Sequence, residues 1–220
     1  GILDAEYDGV LMVDRWRVYE SVFGEKRQLC WSHLKREFKS ARDRGQAMAR
    51  AAPGTDLEAR GQALADFGMR ALAIIKAFFR LWRRFKAGDL TRAQLQKRMA
   101  RHETAMKGVL TLGATLGDKK GAAVSNDLLR QWPELWRFVD EEGVEPTNNR
   151  GERTLRQAVI LRKITLGTRS EKGRKAVGRL LSVVETARQQ GRNVLDFVTQ
   201  AIHRKLLGQV APQLIPQPSR

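Results

Sequence analysis

The chain has 220 residues, with 41 Lys and Arg against 24 Asp and Glu, a formal net charge of +17 and a sequence pI of about 10.9. That balance points to a polyanionic partner, nucleic acid ahead of an anionic membrane surface, and away from a typical small-metabolite enzyme. An apolar fraction of 42% is that of a folding chain rather than a basic disordered tail. The single cysteine, Cys30, excludes a disulfide framework and a multi-cysteine zinc site and fits a reducing compartment.

The longest apolar run, Ala71 to Ile75, falls far short of the roughly 20 residues of a membrane span. Gly1-Ile2-Leu3 shows no basic region followed by an apolar core, so no signal peptide is expected. Without an initiator Met, the chain is expected to be a piece of something longer.

Tyr7-Asp8-Gly9 is a turn signal, and the apolar run Val10 to Val13, ending at Asp14, predicts a short buried strand. Arg27 to Trp31 predicts a second strand, after which Ser32 is the expected cap of a basic helix over roughly His33 to Arg44. Leu64, Phe67, Ala71, Ile75, Phe78, Trp82 and Phe85 recur at steps of three and four. They predict one long amphipathic helix over 57–87, widened by Leu72 and Phe79 and ended by Gly88-Asp89. Thr91 with Gln94 three residues on is a capping-box pattern; Leu95, Met99, His102 and Met106 form the inward face of that helix. A third helical piece, 126–139, turns Trp132, Leu135, Trp136 and Val139 inward and is broken or restarted at Pro133. Residues 45–140 therefore read as all-helical.

The composition changes after the acidic turn Asp140-Glu141-Glu142-Gly143. Residues 152–192 hold 11 Lys and Arg against three acidic residues. A helix from about Asn148 to Arg162 leads into a Gly/Thr/Ser-rich basic loop, Leu166 to Gly173. The next helix places Val177, Leu180, Leu181, Val184 and Ala187 on one face and stops at Gly191. A short helix over Asn193 to Leu207 and a disordered tail over 209–220 complete the expected order. There is no internal repeat.

Four constellations carry chemistry. Asp14 ends an apolar strand, where ligand clefts of α/β sheets form; taken alone, it reads first as a turn residue that terminates the strand. Asn148-Asn149-Arg150-Gly151-Glu152-Arg153-Thr154-Leu155-Arg156 places Glu152 early in a helix with Arg156 one turn on, which is either a functional carboxylate or a surface ion pair. Cys30-Trp31-Ser32-His33 has the spacing of half a zinc site, without a second pair to complete it. Arg169, Lys172, Arg174, Lys175 and Arg179, interleaved with Gly167, Gly173 and Gly178, form a charge cluster whose self-repulsion a phosphodiester partner relieves.

Taken in order, VLMVDRWRVY, CWSHLKREF, PTNNRGERTLRQAVILRKITLGTRSEKGR and LLSVVETARQQG resemble the catalytic region of the IS66-family bacterial transposases. The resemblance covers nearly the whole chain and is weakest over 45–135. It implies a DDE transposase, an enzyme of DNA strand cleavage and strand transfer at insertion-sequence ends. The implied fold class is α/β but predominantly helical, a partial RNase H-like core interrupted by an all-helical insertion. On this reading residues 1–44 hold the second half of the sheet with the second catalytic Asp, and 45–140 the helical insertion. Residues 141–208 hold the catalytic Glu helix and basic C-terminal helices, and 209–220 the tail. Asp14 is similar to the second Asp and Glu152 to the final Glu, both metal ligands, and His33 of the Cys-x2-His signature is implied near the scissile phosphate.

The resemblance implies two Mg²⁺ or Mn²⁺ ions, because clamping the attacking and leaving oxygens of a phosphodiester calls for hard cations on carboxylates. Arg153, Arg156, Arg169, Lys172, Arg174, Lys175 and Arg179 are the implied DNA contacts. Expected partners are transposon-end and target DNA, a second copy of the chain, and other element-encoded proteins, with no membrane, in the bacterial cytoplasm at the nucleoid. The family's first Asp precedes the strand that ends at Asp14, so the chain is expected to be a C-terminal fragment, inactive in isolation. A non-catalytic remnant that binds DNA by charge alone is the alternative.

Overall fold

The computed structural model describes residues 9–15, 26–165 and 167–214, the side chains of Arg150 and Thr154 excepted. Tyr7, Asp8, Leu166 and the tail residues 215–220 lie outside the described residues. The chain divides into two compact units, Gly1–Asn148 and Asn149–Arg220.

The first unit begins with two short strands, β1 (Leu11–Val13) and β2 (Arg27–Leu29), paired in parallel with Leu11 opposite Arg27 and Val13 opposite Leu29. Among the described residues these two strands are the whole sheet. The ladder continues at both ends: the Leu11 N–H donates to Lys26 O at 3.0 Å and the Cys30 N–H to Val13 O at 2.8 Å.

Five helices follow: α1 (Trp31–Ala51), α2 (Asp56–Lys86), α3 (Arg92–Ala114), α4 (Lys119–Arg130) and α5 (Trp132–Asp140). α2 has the predicted length, and its stripe from Leu64 to Trp82 is buried. At α3 the Thr91 capping box forms in full. The piece predicted over 126–139 is two helices, with Pro133 in the first turn of α5, where its missing N–H costs nothing.

α1 departs from expectation at its start. It begins at Trp31, with Cys30 and not Ser32 at the N-cap and no side-chain cap at all. Tertiary partners replace the cap. The Trp31 N–H donates to Pro146 O at 3.0 Å and its indole N–H to Leu135 O at 2.8 Å. The helix also runs on past Arg44, because Gly45 lets it lie directly on α2. A Cβ built on Gly45 falls 2.4 Å from Ala65 N and 2.5 Å from Gly61 O, and one built on Gly68 falls 2.6 Å from both Arg42 N and Phe38 O. Only hydrogen at those positions permits this backbone-to-backbone approach.

The sheet is held by α5 through polar groups. Gln28, fully buried, donates to Leu135 O at 3.1 Å and accepts the Phe138 N–H at 2.9 Å. Arg27 pairs with Glu134 at 2.8 Å, and Arg137 Nε donates to Arg27 O at 3.1 Å. Beside this network lies an aromatic core. Trp31 meets Phe78 at 4.8 Å and Trp136 at 5.0 Å between ring centroids, and Phe138 sits edge-on to Trp82 at 5.2 Å.

The second unit is three helices, α6 (Asn149–Ile164), α7 (Glu171–Gln189) and α8 (Val194–Leu206). Ser170 caps α7 by accepting the Gly173 N–H, and Asn193 caps α8 by accepting from Leu195 and Asp196. Gly191 adopts the left-handed conformation (φ 68°) that ends α7 as predicted. The apolar face expected on α7 is not a buried one: of its residues Ala187 is buried, while Leu180 is 55% exposed. The described tail residues 209–214 carry no helix or strand, and Leu214 O and Gln213 O accept from Gln190 and Arg192. No helix among the described residues is long and apolar enough to cross a membrane.

Candidate active site

β1 delivers Asp14. Its last residue, Val13, is buried, and the next residue, Asp14, emerges exposed at the C-terminal end of a parallel strand. Arg15 then turns back to the helices, bonding Asp127 at 3.1 Å and lying 3.9 Å from Glu37. The chain direction at Asp14 is thus set on both sides, by the ladder before it and an ion pair after it.

β2 delivers the Cys-x2-His segment to the same place. The Cys30 N–H bonds the carbonyl of Val13, the residue before Asp14, so pairing register alone brings Asp14 and the start of α1 together. His33 lies in the first turn of α1, half-buried, its N–H donating to Cys30 O at 3.0 Å. Cys30 is 1% exposed and its Sγ accepts the Asn148 N–H at 3.3 Å. The sequence holds no second Cys or Cys/His pair that would complete a zinc site with it.

The third strand of chain at this point is the segment that leads to Glu152. Pro146 O and the Asn148 N–H are fastened to Trp31 and Cys30 across more than 100 residues of sequence. Sequence reading missed this junction. Nothing local marks a carbonyl at Pro146 or a thiol at Cys30 as partners.

In the second unit Glu152 occupies the first turn of α6, and its neighbour Arg153 donates to Asn149 O at 3.2 Å. Acidic charge in the first turn is favourable against the helix dipole. Arg156 is exposed and makes no ion pair with a described residue, so the surface Glu152–Arg156 pair does not form. Arg169 stands exposed in the loop before α7. Lys172, Arg174, Lys175 and Arg179 are exposed along the first turns of α7. Glu171 pairs with Arg174 and, at 3.6 Å, with Lys175, which relieves part of the expected repulsion. Arg169, Lys172 and Arg179 keep their charge uncompensated by any described carboxylate.

The family described as "Transposase IS66 family" matches residues 1–176. A protein of Sinorhizobium fredii (strain NBRC 101917 / NGR234), described as "Uncharacterized protein y4qI", is 25% identical over 232 aligned residues that take in 96% of this chain. The chain spans 38% of that relative's length. No solved structure matches. The family match runs from the first strand through Asp14, Cys30–His33 and Glu152 into α7, and the chain belongs to the IS66 transposase family.

Proposed function

We propose that this chain is the C-terminal part of a DDE transposase catalytic region, an RNase H-like core interrupted by an all-helical insertion over 45–140, with Asp14 and Glu152 as two of its carboxylates. One observation carries the reading. The Cys30 N–H on Val13 O and the Cys30 and Trp31 contacts to Asn148 and Pro146 gather three distant segments at one point.

The donor chemistry fits a hard divalent cation. Asp14 offers an exposed carboxylate at a strand end and Glu152 a second. Mg²⁺ or Mn²⁺ there supplies Lewis-acid stabilisation of the attacking and leaving oxygens at a phosphodiester. Asp14 and Glu152 hold the metal-binding charge on a strand end and a helix start, rigid elements both. His33 stands beside the scissile phosphate and donates a hydrogen bond to it. Arg153, Arg156, Arg169, Lys172, Arg174, Lys175 and Arg179 take phosphates of the transposon ends, fixing register without reading sequence.

The test uses the complete protein with its matched transposon ends. Asp14→Asn and Glu152→Gln are expected to reduce strand cleavage far beyond the roughly 10–100-fold typical of an outer-shell partner, with DNA binding retained. Cleavage that survives either substitution overturns the site. Salt-sensitive DNA binding by the complete protein with no metal-dependent cleavage on any end sequence supports the DNA-binding remnant instead.

A further inference from the structure

A second concentration of positive charge lies in the first unit, on α1 and α2. On α1, Lys35 and Lys39 are exposed one turn apart. On α2, Lys76, Arg80, Arg83 and Arg84 are exposed within nine residues, at spacings that put Lys76, Arg80 and Arg83 on neighbouring turns. The two helices run antiparallel. Gly45 lies on Gly61 and Ala65, Phe38 and Arg42 lie on Gly68, and Trp31 meets Phe78. That order of contacts brings the N-terminal third of α1 beside the C-terminal third of α2. The basic segments of both helices therefore sit at the same end of the pair, the end at which Cys30 is bonded to Val13, next to Asp14.

The charge there is not neutralised from within. Glu37 faces Arg15, Asp89 faces Arg84 at 3.6 Å and Glu145 faces Lys86 at 2.7 Å. Lys35, Lys39, Lys76, Arg80 and Arg83 make no ion pair with a described residue. Like charges one turn apart destabilise a helix. The helix stability lost is recovered when an anion lies along the face.

The surroundings select the anion. Between the cations stand Ala73, Ala77 and Ser40; every large apolar residue of this part of α2 points into the core or its edge. The large exposed apolar residues of the first unit, Leu57, Met69 and Leu112, are elsewhere. A face without apolar anchors does not suit a membrane surface, and one without exposed aromatics does not suit unstacked bases. It suits the phosphates of a duplex. Lys76 to Arg83 covers about 10 Å of helix axis, along which a duplex carries about six charges.

We propose that the α1–α2 face is a second DNA-binding surface, which holds the backbone of duplex DNA with residues of the first unit alone. That this duplex leads to Asp14 rests on the function proposed above; the binding itself does not. The experiment measures affinity of the complete protein for random-sequence duplex against salt, with Lys35→Gln, Lys39→Gln, Lys76→Gln, Arg80→Gln and Arg83→Gln combined. Gln has nearly the helix propensity of Lys and Arg, and all five sites are exposed, so the melting curve checks that the fold is kept.

Each lost phosphate contact lowers the slope of log K against log salt by about 0.9, so a fall of roughly three to five is expected. The slope is read without added divalent metal and without cleavage, which separates failure of this surface from failure of the catalytic reading. An unchanged slope in the folded five-site variant overturns the proposal. So does tighter binding of the unmodified protein to single strands, or to vesicles of anionic phospholipid, than to duplex at the same salt.

Discussion

Gly45 is a position at which a single methyl group has a calculable consequence. A Cβ there falls 2.4 Å from Ala65 N and 2.5 Å from Gly61 O, and both atoms are backbone, so no side chain can turn aside. α1 and α2, the most extensively packed pair of helices in the chain, have to separate by about 1 Å to restore ordinary contact. The same separation loosens the Gly61 and Gly68 approaches and the Trp31–Phe78 contact along the pair. Overpacking costs about 1–3 kcal/mol and occasionally more, against a propensity gain of at most about 1 kcal/mol for replacing helical Gly by Ala. Gly45→Ala is therefore expected to destabilise the first unit by about 2 kcal/mol.

Gly108, within α3, is the control. Nothing lies within 4 Å of a Cβ built there, so Gly108→Ala is expected to stabilise by about 0.5–1 kcal/mol. Urea unfolding followed by tryptophan fluorescence reads the first unit alone, because all five tryptophans precede residue 149. The two variants are expected to move the midpoint in opposite directions at unchanged m. A Gly45→Ala variant as stable as the unsubstituted protein refutes the close-approach argument.

Two further predictions concern the polar groups of the first unit. Gln28→Leu removes the buried amide that joins β2 to Leu135 O and the Phe138 N–H. It is expected to cost about 1–3 kcal/mol in the same urea experiment; a loss within 0.5 kcal/mol of zero, roughly, contradicts the proposed anchoring. Burial first, and Asp140 second, raise the Glu103 carboxyl above its usual 4.5, so the folded state holds this proton more tightly than the unfolded chain. Stability from that preference is complete below the unfolded value and is lost as pH rises through the folded one. Glu103→Gln is accordingly expected to raise the melting temperature at pH 7 and to have no such effect below pH 4.5; a gain of equal size at both pH values refutes it. Burial, then Arg101, lowers the neighbouring His102, which works oppositely, costing stability as pH falls below its usual 6.5.

Local physics accounts for what was readable in the chain. The three-four stripe of α2, the Thr91 box and the Gly191 stop depend on residues a few positions apart, and each forms where expected. The family was readable too, because the segments around Asp14, Cys30–His33 and Glu152 carry the resemblance in their residue types and order, and the family match over 1–176 bears it out. Charge was readable as a total of +17 and as a cluster after Glu152.

Tertiary structure decided the rest, because the interactions concerned join residues far apart in sequence. The start of α1 is moved to Trp31 by a carbonyl at Pro146 and another at Leu135, neither of which a helix-capping rule can see. Gly45, Gly61 and Gly68 read in isolation as weak points of two helices, yet they are what lets those helices touch. The second concentration of charge appeared only when α1 and α2 were laid antiparallel, since Lys35 and Lys76 are 41 positions apart in a chain rich in Lys and Arg throughout. The sequence determined which charged residues the chain carries. Packing decided which of them share a surface, because a side chain's neighbours across a helix interface leave no periodicity in the chain that bears it.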